Sequence, residues 1–233
     1  MEEFQIDTVI NGTKSAIAYA QFDRAQAKLN NNGFKIISLS ENAELRIKKW
    51  KDSDISRRYN LVREGAIFVP RGISKLVRNP PILEYAKEAT IAHSEGKEFY
   101  LNNGQIEKAL EDSADLPKKS KSIPTNRFSE EEITVWAFGY TQSPINPYNG
   151  PKKAQNYGDF LYELGTKSMP IWRIQKEIVD QENKPFARPL YFKGIIAGKS
   201  ALIANDQDLH FRIRVRGIRD LIEKEELIRP LAL

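Results

Sequence analysis

The segment Asp206-Gln207-Asp208-Leu209-His210-Phe211-Arg212-Ile213-Arg214-Val215-Arg216 places a charged or titratable residue at every second position. Side chains of alternate residues lie on the same face of a strand. The pattern therefore predicts a strand over 209–216 with one largely apolar face. The opposite face would carry Asp206, Asp208, His210, Arg212, Arg214 and Arg216.

This arginine row suits a phosphate backbone, because arginines two residues apart stand ~6.8 Å apart along a strand. Each guanidinium can bind a phosphate group with two parallel hydrogen bonds. Asp206, Asp208 and His210 would then hold a divalent metal such as Mg²⁺ beside the phosphate, as in a metal-dependent nuclease.

A second interpretation assigns the same segment no ligand. Asn205–Asp208 has the composition of a turn, which would move both aspartates off the shared face. A row of arginines on a half-exposed strand is also common as a solvated surface that protects a sheet edge from aggregation.

Outward from this segment, positive charge concentrates between Arg46 and Arg78, with ten basic and three acidic residues. The alternation in 44–49 and 58–61 predicts strands of an antiparallel meander with a wet, basic face. Trp50, Tyr59 and Phe68 are interleaved and could stack on bases, or they are core residues. The predicted nucleic-acid contacts are Arg46, Lys48, Arg58, Arg212, Arg214 and Arg216.

The remaining periodicity predicts an α+β fold, with antiparallel sheets and flanking helices in two halves that can share one core. Helices are predicted over 14–29, 82–94, 105–111, 155–164, 170–179 and 218–228, and late strands over 189–197, 200–204 and 209–216. The polar stretch 113–127 is the predicted linker. It separates a subdomain over 1–112, with the basic meander, from one over 128–233, which ends in the arginine-rich strand and a helix.

Composition excludes several kinds of site. The 233 residues include no cysteine, which rules out disulfides, thiolate metal sites and cysteine nucleophiles. Two histidines do not suffice for a multi-histidine zinc site. No stretch approaches the ~20 apolar residues of a membrane span, and the N-terminus does not resemble a secretory signal. We therefore expect a cytoplasmic protein without a membrane partner.

Two further motifs are weak. Gly194–Ser200 is similar to a phosphate-binding loop but has three residues between its glycines where that loop needs four. Glu95-Gly96-Lys97 has the Glu-x-Lys spacing of many restriction-type nucleases, yet it falls at a predicted helix-to-strand junction. The candidate catalytic residues are accordingly His210, Asp208, Glu95 and Lys97.

Two functions remain open at this point. The basic strands favour a nucleic-acid-binding protein, such as a nuclease acting on DNA, and magnesium is expected only in that case. The alternative is a non-enzymatic structural or assembly protein that binds protein partners or copies of itself. The polar loops 113–127 and 141–151 favour this alternative, since such segments often order against a partner.

Overall fold

The computed structural model describes residues 3–10, 13–49, 53–139, 149–196, 198–205 and 208–220. These residues form an α+β fold, which confirms the predicted class. The strands are β1 (Glu3–Ile10), β2 (Thr13–Ala20), β3 (Lys35–Ile36), β4 (Asn60–Phe68), β5 (Lys75–Val77), β6 (Phe99–Tyr100), β7 (Ser113–Asp115), β8 (Lys121–Pro124), β9 (Ser168–Trp172), β10 (Phe186–Ile196), β11 (Lys199–Ile203) and β12 (Ile213–Asp220). The helices are α1 (Phe22–Asn31), α2 (Leu39–Lys49), α3 (Asp54–Arg57), α4 (Pro81–Glu84), α5 (Ala86–Ser94), α6 (Asn103–Leu110), α7 (Glu132–Phe138), α8 (Asn149–Glu163) and α9 (Lys176–Val179). Short 3-10 helices cover Thr125–Arg127 and Asp208–His210.

The strands of the described residues form a single mixed sheet in the order β1-β2-β12-β4-β10-β11-β9-β8. Small strands β3, β5, β6 and β7 attach to this row. Most pairs are antiparallel, whereas β9 with β11 and β4 with β12 are parallel. The arginine-rich strand β12 thus lies inside the sheet, between β2 and β4.

Strand β2 replaces the first half of the helix predicted over 14–29. Local propensity favours a helix there, because three of its residues are alanines. Ser15, Ala16 and Ala18 are buried between the pairing strands β1 and β12 and the layers above and below the sheet. Small side chains fit this position, and tertiary packing therefore overrides propensity.

Helix α2 replaces the strand predicted over 44–49. Its buried residues recur with helical spacing and include Leu39, Ala43 and Arg46. The polar residues that gave the alternating pattern lie on the outer side of the helix, apart from Arg46. The basic meander predicted for this region is therefore wrong over 44–49.

Two hydrophobic clusters cover opposite faces of the sheet. In β10, Phe192 belongs to the cluster that packs under α2, α7 and α8, and its neighbour Tyr191 belongs to the cluster under α1, α4 and α5. Successive side chains of a strand point to opposite faces. The molecule is thus layered, with helices on both sides of one sheet.

Prolines in the sheet lie where a missing N–H group is tolerated. Pro189 lies at a register shift between β10 and β4, as expected for a proline in a strand interior. Pro170, which predicts a helix start, lies within β9 and faces Ser122 of the short edge strand β8. The helix predicted over 170–179 is reduced to α9.

The predicted linker 113–127 contributes β7, β8 and a 3-10 helix. In the sheet, strands that precede the predicted linker alternate with strands that follow it. The division into two subdomains stays a prediction. The helix predicted over 218–228 begins inside β12, and 221–233 lie outside the described residues. None of the helices in the described part of the chain has the length and apolar character needed to cross a bilayer.

Candidate functional site

Arg216 of β12 is fully buried. Its Nη1 donates to Asp7 Oδ2 at 2.5 Å and to Ser15 Oγ at 2.9 Å, and its Nη2 donates to Asp54 Oδ2 at 2.7 Å. Burial alone would raise the pKa of Asp7, but the hydrogen bonds and charges of Arg216 and Lys49 outweigh burial and lower that pKa. The arginine thus joins β1, β2 and α3 from the inside.

Arg214, two residues earlier, has 8% of its side chain exposed. Its guanidinium contacts Asp54 Oδ2 and Asn60 Oδ1, and Nη1 also donates to the carbonyl of Tyr59 at 3.3 Å. Burial and the charge of Arg216 lower the pKa of Arg214. The strand predicted over 209–216 begins only at Ile213, because a 3-10 helix covers Asp208–His210. Arg214 and Arg216 do share one face of β12 as predicted, but that face is covered by protein.

Arg46 of α2 is also fully buried. It donates to the carbonyls of Ile55, Lys193 and Phe192 at 3.1–3.3 Å, and to the hydroxyl of Tyr157 at 3.0 Å. Its guanidinium carbon lies 3.7 Å from the centroid of the Phe192 ring. Burial lowers the pKa of Arg46. We call Arg46, Arg214, Arg216, Asp7 and Asp54 the buried arginine cluster.

The other three predicted contacts lie at the surface. Lys48 is exposed on α2. Arg58 is 70% exposed and lies 3.8 Å from Asp54, and Arg212 is half exposed and pairs with Glu3 at 2.9 Å. The structure therefore divides the six predicted residues between a packed interior and separate surface positions.

The candidate catalytic residues do not converge. Glu95 and Lys97 form an exposed ion pair with each other at 2.8 Å after the end of α5. His210 ends a 3-10 helix and its ring lies 4.0 Å from that of Phe211. Asp206 and the side chain of Asp208 lie outside what the structure describes, and their metal role stays a prediction, as do the catalytic roles. Within the described ranges, no group of three His, Asp or Glu residues could hold a metal ion.

Glu64 of β4 is a buried carboxylate on the same side as α2. The backbone N–H of Leu39 donates to its Oε2 at 2.9 Å, and Arg78 Nη1 lies 3.9 Å from its Oε1. Burial raises the pKa of Glu64 to about 7, against the opposing effects of the Leu39 hydrogen bond and of Arg63 and Arg78. This residue joins β4 to the start of α2.

On the sheet face opposite the buried arginine cluster, one lysine lies between two exposed aromatic side chains. These three residues were not predicted from the sequence as a unit. Lys193 Nζ lies 5.7 Å from the Tyr59 ring centroid and 5.6 Å from that of Trp172. Tyr59 is 43% and Trp172 39% exposed. The residue opposite Lys193 on β11 is the small Ala201. We call Tyr59, Lys193 and Trp172 the aromatic ridge.

Gly194 fixes this arrangement. A Cβ at Gly194 would lie 2.3 Å from the carbonyl carbon of Arg57, which no side chain tolerates. The glycine therefore lets the corner between α3 and β4 approach β10 and places Tyr59 beside Lys193. Of the aromatics considered for stacking, Tyr59 is exposed, Phe68 is buried, and Trp50 lies outside the described residues.

The signal for Trp172 was present in the sequence. Along β9, Ser168 and Trp172 are exposed, Pro170 is half-buried, and Met169 and Ile171 are buried. This is the alternation of a half-exposed strand. This alternation was missed because Pro170 was interpreted as the start of a helix.

No protein-family model and no curated protein matches the sequence. A solved structure described as "Accommodation of massive sequence variation in Nanoarchaeota by the C-type lectin fold" is similar to this chain, with a TM-score of 0.59 and 17% identity. The match covers 91% of this chain and 100% of that one. At this identity the similarity shows the fold, which is that of C-type lectins.

The prediction of a nucleic-acid-binding protein or nuclease is wrong. The similar structure has the C-type lectin fold, which supports an interaction protein over a nuclease. The physical reason for the error is burial: Arg46, Arg214 and Arg216 gave the prediction most of its weight, and they bind internal carboxylates, carbonyls and a tyrosine hydroxyl. Charges that neutralise each other inside the protein do not attract a phosphate backbone.

Proposed function

We propose that this protein is a non-enzymatic binding protein that recognises an acidic protein surface through the aromatic ridge. The observation that carries the proposal is the pair of exposed aromatic rings, Tyr59 and Trp172, with the half-buried Lys193 between them. The prediction of an interaction protein, the sequence-based alternative, is retained in this form.

The ridge has the composition of a protein-binding centre. Residues whose truncation most weakens protein–protein binding are enriched in tryptophan, tyrosine and arginine. Tyr59 and Trp172 are rigid aromatics with substantial exposed area, and Arg57 and Arg58 precede Tyr59 at exposed positions. A partner could bury the rings without reordering the scaffold, because strands β4, β9 and β10 hold them.

Charge favours an acidic partner. Lys193 belongs to the ridge, and the exposed cations Arg57 and Arg58 directly precede Tyr59; Arg58 shares the single carboxylate of Asp54 with Arg214 and Arg216. The Lys193 ammonium lies 5.6–5.7 Å from both ring centroids, so each exposed ring has a cation beside it. Carboxylates that surround an apolar centre on a partner would complement this pattern.

The fold is compatible with such a role. The similar structure is described as a C-type lectin fold that accommodates massive sequence variation. A scaffold that keeps its fold while its surface changes is suited to recognition, because specificity then depends on surface side chains alone.

The test compares Tyr59→Ala/Trp172→Ala with a control, Tyr162→Ala/Ile91→Ala, which removes exposed apolar side chains from α8 and α5. Proteins from the cells that make this chain are captured on immobilised wild type and both variants, identified by mass spectrometry, and then purified. We expect a directly bound acidic protein whose affinity falls at least tenfold in the ridge variant and is unchanged in the control.

Two outcomes would contradict the proposal. In the first, no purified protein depends on the ridge. In the second, a glycan array shows a neutral glycan bound by the wild type and lost in the ridge variant, which would make the partner a carbohydrate.

A further inference from the structure

A cavity of about 390 Å³ lies between the chain that leads into β8 and the start of α9. Its lining includes Lys118, Lys119, Ser120, Arg173, Lys176 and Glu177. Volumes of a few hundred Å³ are typical of sites for small molecules. All of these residues are described, and none belongs to the aromatic ridge.

Arg173 is a buried cation at this cavity, 7% exposed. It donates from Nε to the Ile174 carbonyl at 2.9 Å, from Nη1 to the Pro117 carbonyl at 2.8 Å, and from Nη2 to Ser74 Oγ at 3.3 Å. These bonds use three of the five N–H groups of a guanidinium. All three acceptors are neutral.

The cavity rim adds uncompensated charge. Lys118 and Lys119 are exposed, and their ammonium groups have no ion-pair partner among the described residues. Lys176 is already paired, since both oxygens of Asp180 lie 2.8 Å from its Nζ. The lining residues carry four cations, namely Lys118, Lys119, Arg173 and Lys176, against the carboxylate of Glu177.

A buried guanidinium with neutral partners is costly unless an anion completes its environment. Burial lowers the pKa of Arg173, in opposition to the nearby charges of Asp180 and Glu177. Two free lysines at the rim are flexible point charges that suit an oxyanion of tetrahedral shape. Once Lys176 is assigned to Asp180, the other charged lining residues carry a net charge of about +2. This charge matches a doubly charged anion.

We infer that this cavity binds the phosphate or sulfate group of a small molecule, which Lys118, Lys119 and Arg173 contact. The cavity is larger than a bare oxyanion needs, so it has room for an organic body attached to that group. The site goes beyond the proposed function, because none of its lining residues belongs to the ridge and the Arg173 side chain reaches the Pro117 carbonyl and Ser74 instead.

The experiment titrates the full chain with inorganic phosphate, sulfate and acetate at constant ionic strength, by isothermal calorimetry and by amide chemical-shift perturbation. We expect saturable binding of phosphate and sulfate, weaker binding of acetate, and shifts confined to 117–120 and 173–177. Lys118→Ala/Lys119→Ala should weaken phosphate binding at least tenfold. Both residues are exposed, and this variant should fold.

The matched control is Lys87→Ala/Lys152→Ala, which removes the same charge from exposed positions on α5 and α8. It should leave phosphate affinity unchanged. Equal weakening in both double variants would show attraction by net charge alone and would overturn the assignment. The absence of saturable phosphate or sulfate binding, or acetate binding as tight as phosphate binding, would also overturn it. The ridge variant should bind phosphate as the wild type does, which separates this site from the proposed function.

Discussion

The buried arginine cluster and the aromatic ridge are built from neighbouring residues and end in opposite environments. Phe192 lies under the Arg46 guanidinium, 3.7 Å away, in a fully covered layer. Lys193, the next residue of β10, lies between Tyr59 and Trp172 at the surface. Helices α2 and α8 cover the first face, whereas the second face is open at this end of the sheet. A cation against an aromatic ring thus holds the fold on one side and is available to a partner on the other.

The largest expected effect on the free energy of unfolding comes from a substitution in the buried arginine cluster. Arg216→Ala removes the buried cation that Asp7 and Asp54 share, although Lys49 and Arg214 still contact them, and should lower the free energy of unfolding by about 3 kcal/mol. Urea denaturation followed by circular dichroism measures this. Arg212→Ala, at the half-exposed position just before β12, is the control and should change stability by about 0.5 kcal/mol or less. Similar values for the two variants would contradict the buried role of Arg216.

A smaller effect is expected when the charge is kept and the shape is changed. Arg46→Lys retains a cation, but one ammonium group cannot reach the Ile55 and Phe192 carbonyls and the Tyr157 hydroxyl together. The resulting unpaired acceptors should cost about 2 kcal/mol in the same assay. Lys48→Arg on the exposed side of α2 should cost nothing measurable, and an equally tolerant Arg46→Lys would refute this account.

Glu64 offers a test of the buried face through the pH dependence of the free energy of unfolding. Its pKa is raised by burial to about 7, so the folded protein binds this proton more tightly than the unfolded chain does. Its contribution to stability is therefore full below about pH 4.5 and is lost as pH rises toward 7. Relative to wild type, Glu64→Gln should gain about 2–3 kcal/mol of stability between pH 4.5 and 8. Urea midpoints across this range measure the gain, with exposed Glu107→Gln as control. A difference between Glu64→Gln and wild type that is constant with pH would be evidence against a titrating Glu64.

The smallest effect on stability is expected at the ridge. Tyr59→Ala/Trp172→Ala removes side chains that are about two-fifths exposed and should lower the free energy of unfolding by about 1 kcal/mol or less. The thermal midpoint and the far-ultraviolet spectrum should stay close to those of the wild type, while partner affinity falls. A loss as large as that of Arg216→Ala would make the ridge structural and remove the distinction between the two regions.

Part of this fold was predictable from local pattern. The alternation over 189–204 predicts β10 and β11 to within a few residues, and the helix predicted over 105–111 corresponds to α6. The even spacing of arginines in β12 also predicts correctly that Arg214 and Arg216 share a face. Alternation, however, separates two faces without saying which one the rest of the chain covers.

The candidate site was harder to predict for the same reason. Arginine is almost never fully buried unless paired, so nothing local distinguishes Arg46 or Arg216 from a surface residue. Their partners Tyr157, Asp7 and Asp54 are far away in sequence. The ridge likewise joins β4, β9 and β10, and its members meet because of the sheet order and the close approach at Gly194.

The position of β12 inside the sheet has a consequence for how the chain folds. Arg216 binds Ser15 across 201 positions of sequence, and β2 has β12 as its inner neighbour. Contacts of such sequence separation slow folding, because the entropy of loop closure is lost before the contact forms. During synthesis, β1 and β2 are made well before β12. The edge of β2 that pairs with β12 therefore stays unpaired until almost the entire described chain has been synthesised. We expect refolding to be slow and limited by this final insertion, with the alanine-rich β2 edge as the segment most exposed to mispairing in the meantime.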